Sequence, residues 1–465
     1  MSAGTAPARS PAAATRVLLL TLVVTVPLVV APGTSPTRSY PRYVLVVAGA
    51  VSLVVVSGAG ALFGRRRPAW RNGLHWPVLA LVGWSAVCAL ASDDVGTAVG
   101  GFPGSYNGLS TTVAFAVIFF AAASLDPGDG RRLLQVVWFG AGGVVVLYGL
   151  VQLAERLVGP AGRGWDLVPP ATAPWSISST LGNPNHLAGF AAMVLPVGAV
   201  LWAASTSRAQ RRLVAAMAAA LGVELAATGS RGGWLGTLAA GATLALLHRA
   251  DLAAFGRRAL RWAVVAVAAL VVAAVVLAAA GVAKRDLGEV ARVGRGSTLD
   301  LRVQLWRTAW SMTLAHPVVG VGPDGFASAF PDHVTDEFAQ AFGVFSAATD
   351  AHNLFANAAA NLGLPGLAAL LGLVATAVGR TARAWRRPAT TAPGDRLVLG
   401  GAAAGLVGYL VQASANTQPV SLSFFAWVLL GLLCVFARPP DLASADSAPA
   451  VTRRRPAAVP AVGRR

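Results

Sequence analysis

Apolar runs of about 20 residues, broken by short arginine-bearing links, recur along almost the whole chain. A run of that length is what a helix needs to cross the hydrocarbon of a bilayer. Candidates fall at roughly 16–32, 43–63, 75–92, 109–125, 133–153, 185–205, 213–229, 233–248, 261–281, 352–378, 397–415 and 421–437. Only 12% of the 465 residues are charged, against about 25% in soluble domains. The expected fold class is therefore all-α: a polytopic membrane protein of about 12 transmembrane helices, with one long extracytoplasmic loop containing short helices.

The net charge of +18 does not point to nucleic acid. Lys284 is the sole lysine, and the arginines sit in short links between apolar runs, where they act as topology signals. Groups such as Arg65, Arg66 and Arg67, then Arg208, Arg211 and Arg212, then Arg380, Arg383, Arg386 and Arg387 all fall on one side of the alternating spans. That side is cytoplasmic by the positive-inside rule, which places both termini there. The expected organisation is a cytoplasmic, disordered N-terminus (1–15), spans one to nine (16–281), a long extracytoplasmic loop (282–351), spans ten to twelve (352–437) and a disordered cytoplasmic tail (438–465). Cys88 and Cys434 lie inside apolar runs and read as buried thiols, neither a disulfide nor a metal site.

On this topology four polar clusters meet at the outer face: SSTLGNPNHLAG (178–189), TGSRGGW (228–234), STLDLRVQLWRTAW (297–310) and DAHN (350–353). Asn183 can cap a helix with Pro184 in its first turn, but Asn185 and His186 exceed what a cap requires. Arg231 follows Ser230 at a helix start, where a cation opposes the helix dipole unless an anion is bound there. In the third cluster Leu301, Leu305, Ala309 and Met312 form an apolar stripe, with Arg302, Trp306 and Trp310 beside it. Arg307 is displaced from Arg302 by about 140° at 100° per residue, so Arg302 is the one expected to enter a site.

His352 opens the tenth span. A helix N-terminus disfavours an imidazolium, so the ring is expected to be neutral, with a pKa near or somewhat below about 6.5. Asp350 is placed either to oppose that shift or to orient the ring. Asn353, Asn357 and Asn361 recur at helical spacing as a polar stripe, and Glu224 is an intramembrane carboxylate expected to face a cavity or a partner. Gln412 and Asn416 close the eleventh span on the same side.

Two arginines suit a diphosphate, and a diphosphate at the outer membrane face implies a lipid-linked leaving group. A neutral histidine beside it can take the proton of an attacking hydroxyl. The reaction read from these residues is glycosyl transfer from a polyprenyl-diphosphate sugar to an acceptor hydroxyl, with no metal site and no cofactor.

At this point LGNPNHLAGF, TGSRGGWLG, LDLRVQLWRTAWSMTLAHPVVGVGPDGF and AHNLFANAAANLGLPG resemble the signature regions of the O-antigen ligase/O-antigen polymerase superfamily, over a core of about 180–380. The resemblance implies a GT-C-like, metal-independent, inverting glycosyltransferase of the cytoplasmic membrane with an extracytoplasmic active site. Its donor would be an undecaprenyl-diphosphate-linked glycan and its acceptor a glycan, lipid or protein. It implies His352 as base and Arg231 and Arg302 as diphosphate ligands; Asn183, Asn185, His186, Glu224, Asn353 and Asn357 are expected in support from their placement in the polar clusters. Asn357–Ala360 departs from the Gln and acidic residue common among relatives. Ligase and polymerase share one site and are not separated here. A transporter is the alternative from another class, and a binding or assembly protein a third. A transport path calls for polar residues at all membrane depths, whereas here they crowd the outer half.

Overall fold

The computed structural model describes residues 11–29, 39–63, 73–158, 177–249, 298–343, 348–387 and 393–437. Helices α1 (Pro11–Leu28), α2 (Ser39–Phe63), α3 (His75–Leu90), α4 (Val95–Gly100) and α5 (Leu109–Ala123) come first. Next, α6 (Pro127–Val136) runs through a π-helical segment (Val137–Gly142) into α7 (Gly143–Val158). A 3₁₀ turn (Ser179–Leu181) leads to α8 (Pro184–Ala204), α9 (Arg208–Ala227) and α10 (Arg231–Leu247). Then follow α11 (Thr298–Ala315), α12 (Phe326–His333), α13 (Asp336–Phe342), α14 (Leu354–Trp385), α15 (Pro393–Ala413) and α16 (Val420–Phe436). The described residues are all-helical, with no strand.

Among them, Ser39–Gly58, Pro127–Glu155, Pro184–Ala204, Leu354–Trp385 and Gly394–Ala413 are long and apolar enough to cross a membrane. Ala12–Leu28, His75–Leu90, Leu109–Ala123 and Val420–Phe436 are shorter apolar helices. Helices occupy the positions of every expected span except the ninth (261–281), which lies outside the described residues together with 1–10, 438–465 and the first part of the expected long loop. The described part of that loop carries α11, α12 and α13. Cys88 and Cys434 are both buried.

α16 is apolar all round and buried along nearly its whole length, as a helix in the centre of a bundle must be. It packs against α5 and α15, while α8, α10 and α15 pack on one another. Glycines permit the close approach in that group. A Cβ on Gly236 would lie 2.6 Å from the Gly408 carbonyl oxygen, and one on Gly408 would lie 2.6 Å from that of Ala192. Small residues serve this purpose in lipid, where dispersion between backbones replaces the hydrophobic drive.

A second, smaller core carries the helices before α14. Leu305, Ala309 and Met312 of α11 pack with Phe326, Phe330 and Phe338 and with Ala360 of α14. The apolar stripe expected along α11 is this contact surface. The turn after α11 docks on a break in α14. Gly363 adopts φ 68°, ψ −175°, outside helical geometry. A Cβ there would collide with the Val318 carbonyl, so both the backbone angle and the space require glycine. Leu364 N donates to Pro317 O (2.8 Å) and Val321 N to Ala360 O (2.9 Å), joining turn and helix across the break. The Leu362 carbonyl accepts from Trp84 Nε1 of α3 at 2.8 Å. Backbone groups released at such a break must find partners inside the protein.

Candidate active site

The four polar clusters adjoin, the first two through a side-chain hydrogen bond and the others within electrostatic reach. Asn183 is the N-cap of α8 and accepts from Asn185 N (2.8 Å). Asn185 Oδ1 accepts from Ser230 Oγ (2.7 Å), and its carbonyl accepts from Gln412 Nε2 of α15 (3.1 Å). Ser230 in turn caps α10, accepting from Gly233 N at 3.3 Å. Three helix ends are thereby sewn together, and Arg231 stands at the first position of α10.

Arg302 reaches the same place from α11. Its Nη2 donates to Asn416 Oδ1 just beyond α15 (3.0 Å). Burial, and secondly the charge of Arg231, depress the Arg302 pKa below its ordinary value. Guanidinium remains charged regardless, so the depression records two cations brought close together in a partly desolvated place. Arg231 Nη2 is buried with no hydrogen-bond partner among the described residues, and no ion pair joins either arginine to a carboxylate there. Arg307 is exposed, on the other side of α11.

His352 precedes the N-cap of α14 and has φ 50°, a left-handed conformation uncommon outside glycine. Asp350 holds it there. Its Oδ1 accepts from His352 N (2.6 Å) and lies 3.0 Å from His352 Nδ1. With Nδ1–H toward Asp350, Nε2 carries the lone pair, the arrangement a histidine base needs. The neutral-ring expectation is corrected here. Burial acts to lower the pKa, but the hydrogen bond and charge of Asp350 outweigh it and hold His352 above its ordinary 6.5. The physical reason is position: the ring sits outside the helix, two residues before Leu354, so the adjacent carboxylate outweighs the dipole. Arg302 is within electrostatic reach of the ring.

His186 lies closer to this group than a helix-start role implies. Its Nε2 is 3.2 Å from Thr417 Oγ1, and Arg42, Asp350 and His352 act on it electrostatically. The asparagine stripe is corrected in part. Asn353 is the α14 cap, accepting from Phe355 N (2.9 Å) and Ala356 N (3.1 Å). Asn357 Oδ1 accepts from Ala351 N at 3.3 Å. Both oxygens therefore hold the Asp350–Asn353 loop in place. Only Asn361 keeps its Oδ1 buried without a hydrogen-bond partner among the described residues. Glu224 is not part of the group. It is buried and packs against Gly149 of α7, a contact that a local reading of α9 could not reveal.

Residues that the sequence did not single out complete the surroundings. Arg42 of α2, buried, donates to the Thr180 (2.5 Å) and Leu181 (3.2 Å) carbonyls and holds the turn before α8. An arginine on the wrong side for the positive-inside rule was its only signal. Asp324 Oδ2 accepts from Phe102 N (2.7 Å), Ser105 Oγ (2.5 Å) and Asn107 N (2.9 Å), pinning the loop before α5. Burial pushes its pKa up to about 6 against the pull of those hydrogen bonds.

Beside the Arg–His group, rather than at it, lies a cavity of about 400 Å³ between α5, α14, α15 and α16. Asn107, Asp324, Asn357 and Gln418 line it near the start of α14, and Leu373, Leu406, Trp427 and Leu433 farther along. No group of three or more His, Cys, Asp or Glu among the described residues could hold a metal ion.

Fold and site together define a multi-pass membrane protein with a paired-arginine, histidine–aspartate group at one end of its helices. A family model described as O-antigen ligase matches residues 215–371, inside the core expected from sequence, and supports membership of the O-antigen ligase/O-antigen polymerase superfamily. No curated protein matches the chain. The matched stretch contains Arg231, Arg302 and His352; Asn183, Asn185 and His186 precede it.

Proposed function

We propose that the protein transfers or polymerises glycan from a polyprenyl-diphosphate donor onto an acceptor hydroxyl at the outer face of the cytoplasmic membrane. The observation that carries this reading is the arginine pair, with no carboxylate partner among the described residues, beside a histidine whose aspartate is already engaged. Arg231 and Arg302 bind the diphosphate and stabilise the negative charge that grows on it as the bond from the anomeric carbon to the phosphate oxygen breaks. The acceptor oxygen forms the new bond at that carbon from the opposite face, which inverts its configuration, and its proton passes to His352 Nε2. Asp350 keeps the ring oriented and stabilises the imidazolium. The apolar length of the cavity suits the isoprenoid chain of the donor, and its polar end, close to His352, suits sugar hydroxyls.

The direct test is transfer in vitro by the purified protein in lipid. Labelled polyprenyl-diphosphate glycan should yield free polyprenyl diphosphate and elongated or ligated glycan in equal amounts. Donor that is bound but carried across the bilayer unchanged would instead indicate a transporter. Sidedness rests on the arginine distribution. Fusion reporters after residue 100, near 320 and near 418 should read outside, and one after 390 inside; a cytoplasmic signal at 320 would remove the outer-face site. Asn416→Ala takes away the acceptor that steadies Arg302. It should raise KM for the donor several-fold with a smaller fall in kcat, because the charge remains but its aim loosens.

A further inference from the structure

α11 buries one face and leaves another bare. Trp310 and Leu314, four residues apart, are 57% and 63% exposed, and Val318 in the following turn is 58% exposed. Arg307, one turn before Trp310, is exposed as well. Bulky apolar residues adjacent on one surface form a patch that calls for a partner.

Helix length indicates what the partner is. α14 has 32 residues, about 48 Å at 1.5 Å per residue, far more than the roughly 30 Å of hydrocarbon. The break at Gly363 divides it. Residues 364–379, from the break to the first arginine after it, Arg380, run about 24 Å, most of the hydrocarbon thickness, while Leu354–Leu362 begins the helix above. Gly363 is therefore at the level of the membrane surface. The turn carrying Val318 is fastened at that level by the Leu364 N to Pro317 O hydrogen bond. Below it Leu364, Leu371 and Val378, seven residues apart, all face outward from the protein. The bare side of α11 is thus anchored, through the turn carrying Val318, beside the outward-facing Leu364 of α14.

We propose that Trp310, Leu314 and Val318 are seated in the bilayer interface, so that α11 rides on the membrane as a monotopic helix and not as part of a solvated loop. A tryptophan at the boundary with an arginine beside it matches the preferences of that region, the indole among headgroups and the guanidinium on lipid phosphate. The occupant of the patch is the lipid surface itself. Docking fixes the depth of α11 and with it the height of Arg302, about two turns before Trp310 on the same helix. It needs only that α14 spans the membrane, and it stands whether or not the glycosyl-transfer reading holds.

The test uses the full-length protein in phosphatidylethanolamine–phosphatidylglycerol vesicles. Nitroxide labels are placed singly through Leu314→Cys, Val318→Cys, Leu371→Cys and Asp332→Cys; Cys88 and Cys434 are buried, and the unsubstituted protein is the labelling blank. Collision with oxygen, which partitions into hydrocarbon, is compared with collision with a neutral nickel chelate, which stays in water. Labels at 314 and 318 should favour oxygen, less strongly than at 371, and the label at 332 should favour the chelate. If 314 and 318 behave like 332, the patch faces water and the proposal is overturned. Low collision with both reagents would mean that a protein face covers it, which overturns it equally. A water-like label at 371 would remove the span on which the proposal rests.

Discussion

His352→Ala is expected to fold and insert normally, to bind donor, and to transfer glycan about 10²–10⁴ times more slowly, the usual loss when a positioned base is removed. Donor binding survives because the arginines, not the histidine, hold the diphosphate. The pH profile sharpens the test. The base form of His352 grows as pH rises through a pKa that Asp350 holds above the ordinary 6.5. Transfer should therefore fall on acidification through a midpoint above that value. Asp350→Asn removes the charge that raises it and leaves burial acting to lower it, so the acid limb should move to lower pH while the rate drops through poorer orientation of the ring. An acid limb that stays in place in Asp350→Asn would mean that His352 is not the titrating group. His186→Ala is the comparison: a smaller loss is expected, with the acid limb retained.

Arg302→Ala and Arg231→Ala should each abolish most transfer and weaken donor binding. Losing a bidentate, charge-assisted grip costs about 3 kcal/mol or more, on the order of 10²-fold in kcat/KM. Arg→Lys should rescue poorly at both positions, because an ammonium keeps the charge but not the planar fork. Arg307→Ala, on the exposed side of α11, should be much milder. Measured donor affinity and turnover for all three variants decide the matter; an essential Arg307 with a dispensable Arg302 would sink the helix-face assignment.

Helix positions were largely legible in the chain because they depend on local properties. A run of about 20 apolar residues has few other structures open to it in lipid, and Asn183 and Ser230 announce helix starts through side chains that cap within two or three residues. The apolar stripe of α11 follows from helical periodicity in the same way. The residue types of the candidate site could be named from the chain too: an arginine at a helix start opposed to the dipole, a second beside an apolar stripe, and a histidine beside an aspartate.

What tertiary structure alone decided is where those side chains point and what holds them. Arg302 is steadied by Asn416, 114 residues away. The loop before α5 is pinned by Asp324, more than 200 residues on. Glu224, the carboxylate most suggestive in the sequence, packs against Gly149 of α7. The histidine's charge preference, read locally from a helix dipole, reversed once Asp350 was found 3.0 Å from its ring. Hydropathy and capping act over a few residues and determine which segments become helices. Pairings between helices depend on contacts and electrostatics that fall off within a few ångströms in space, whatever the separation along the chain, so the bundle had to be assembled before its polar residues acquired partners.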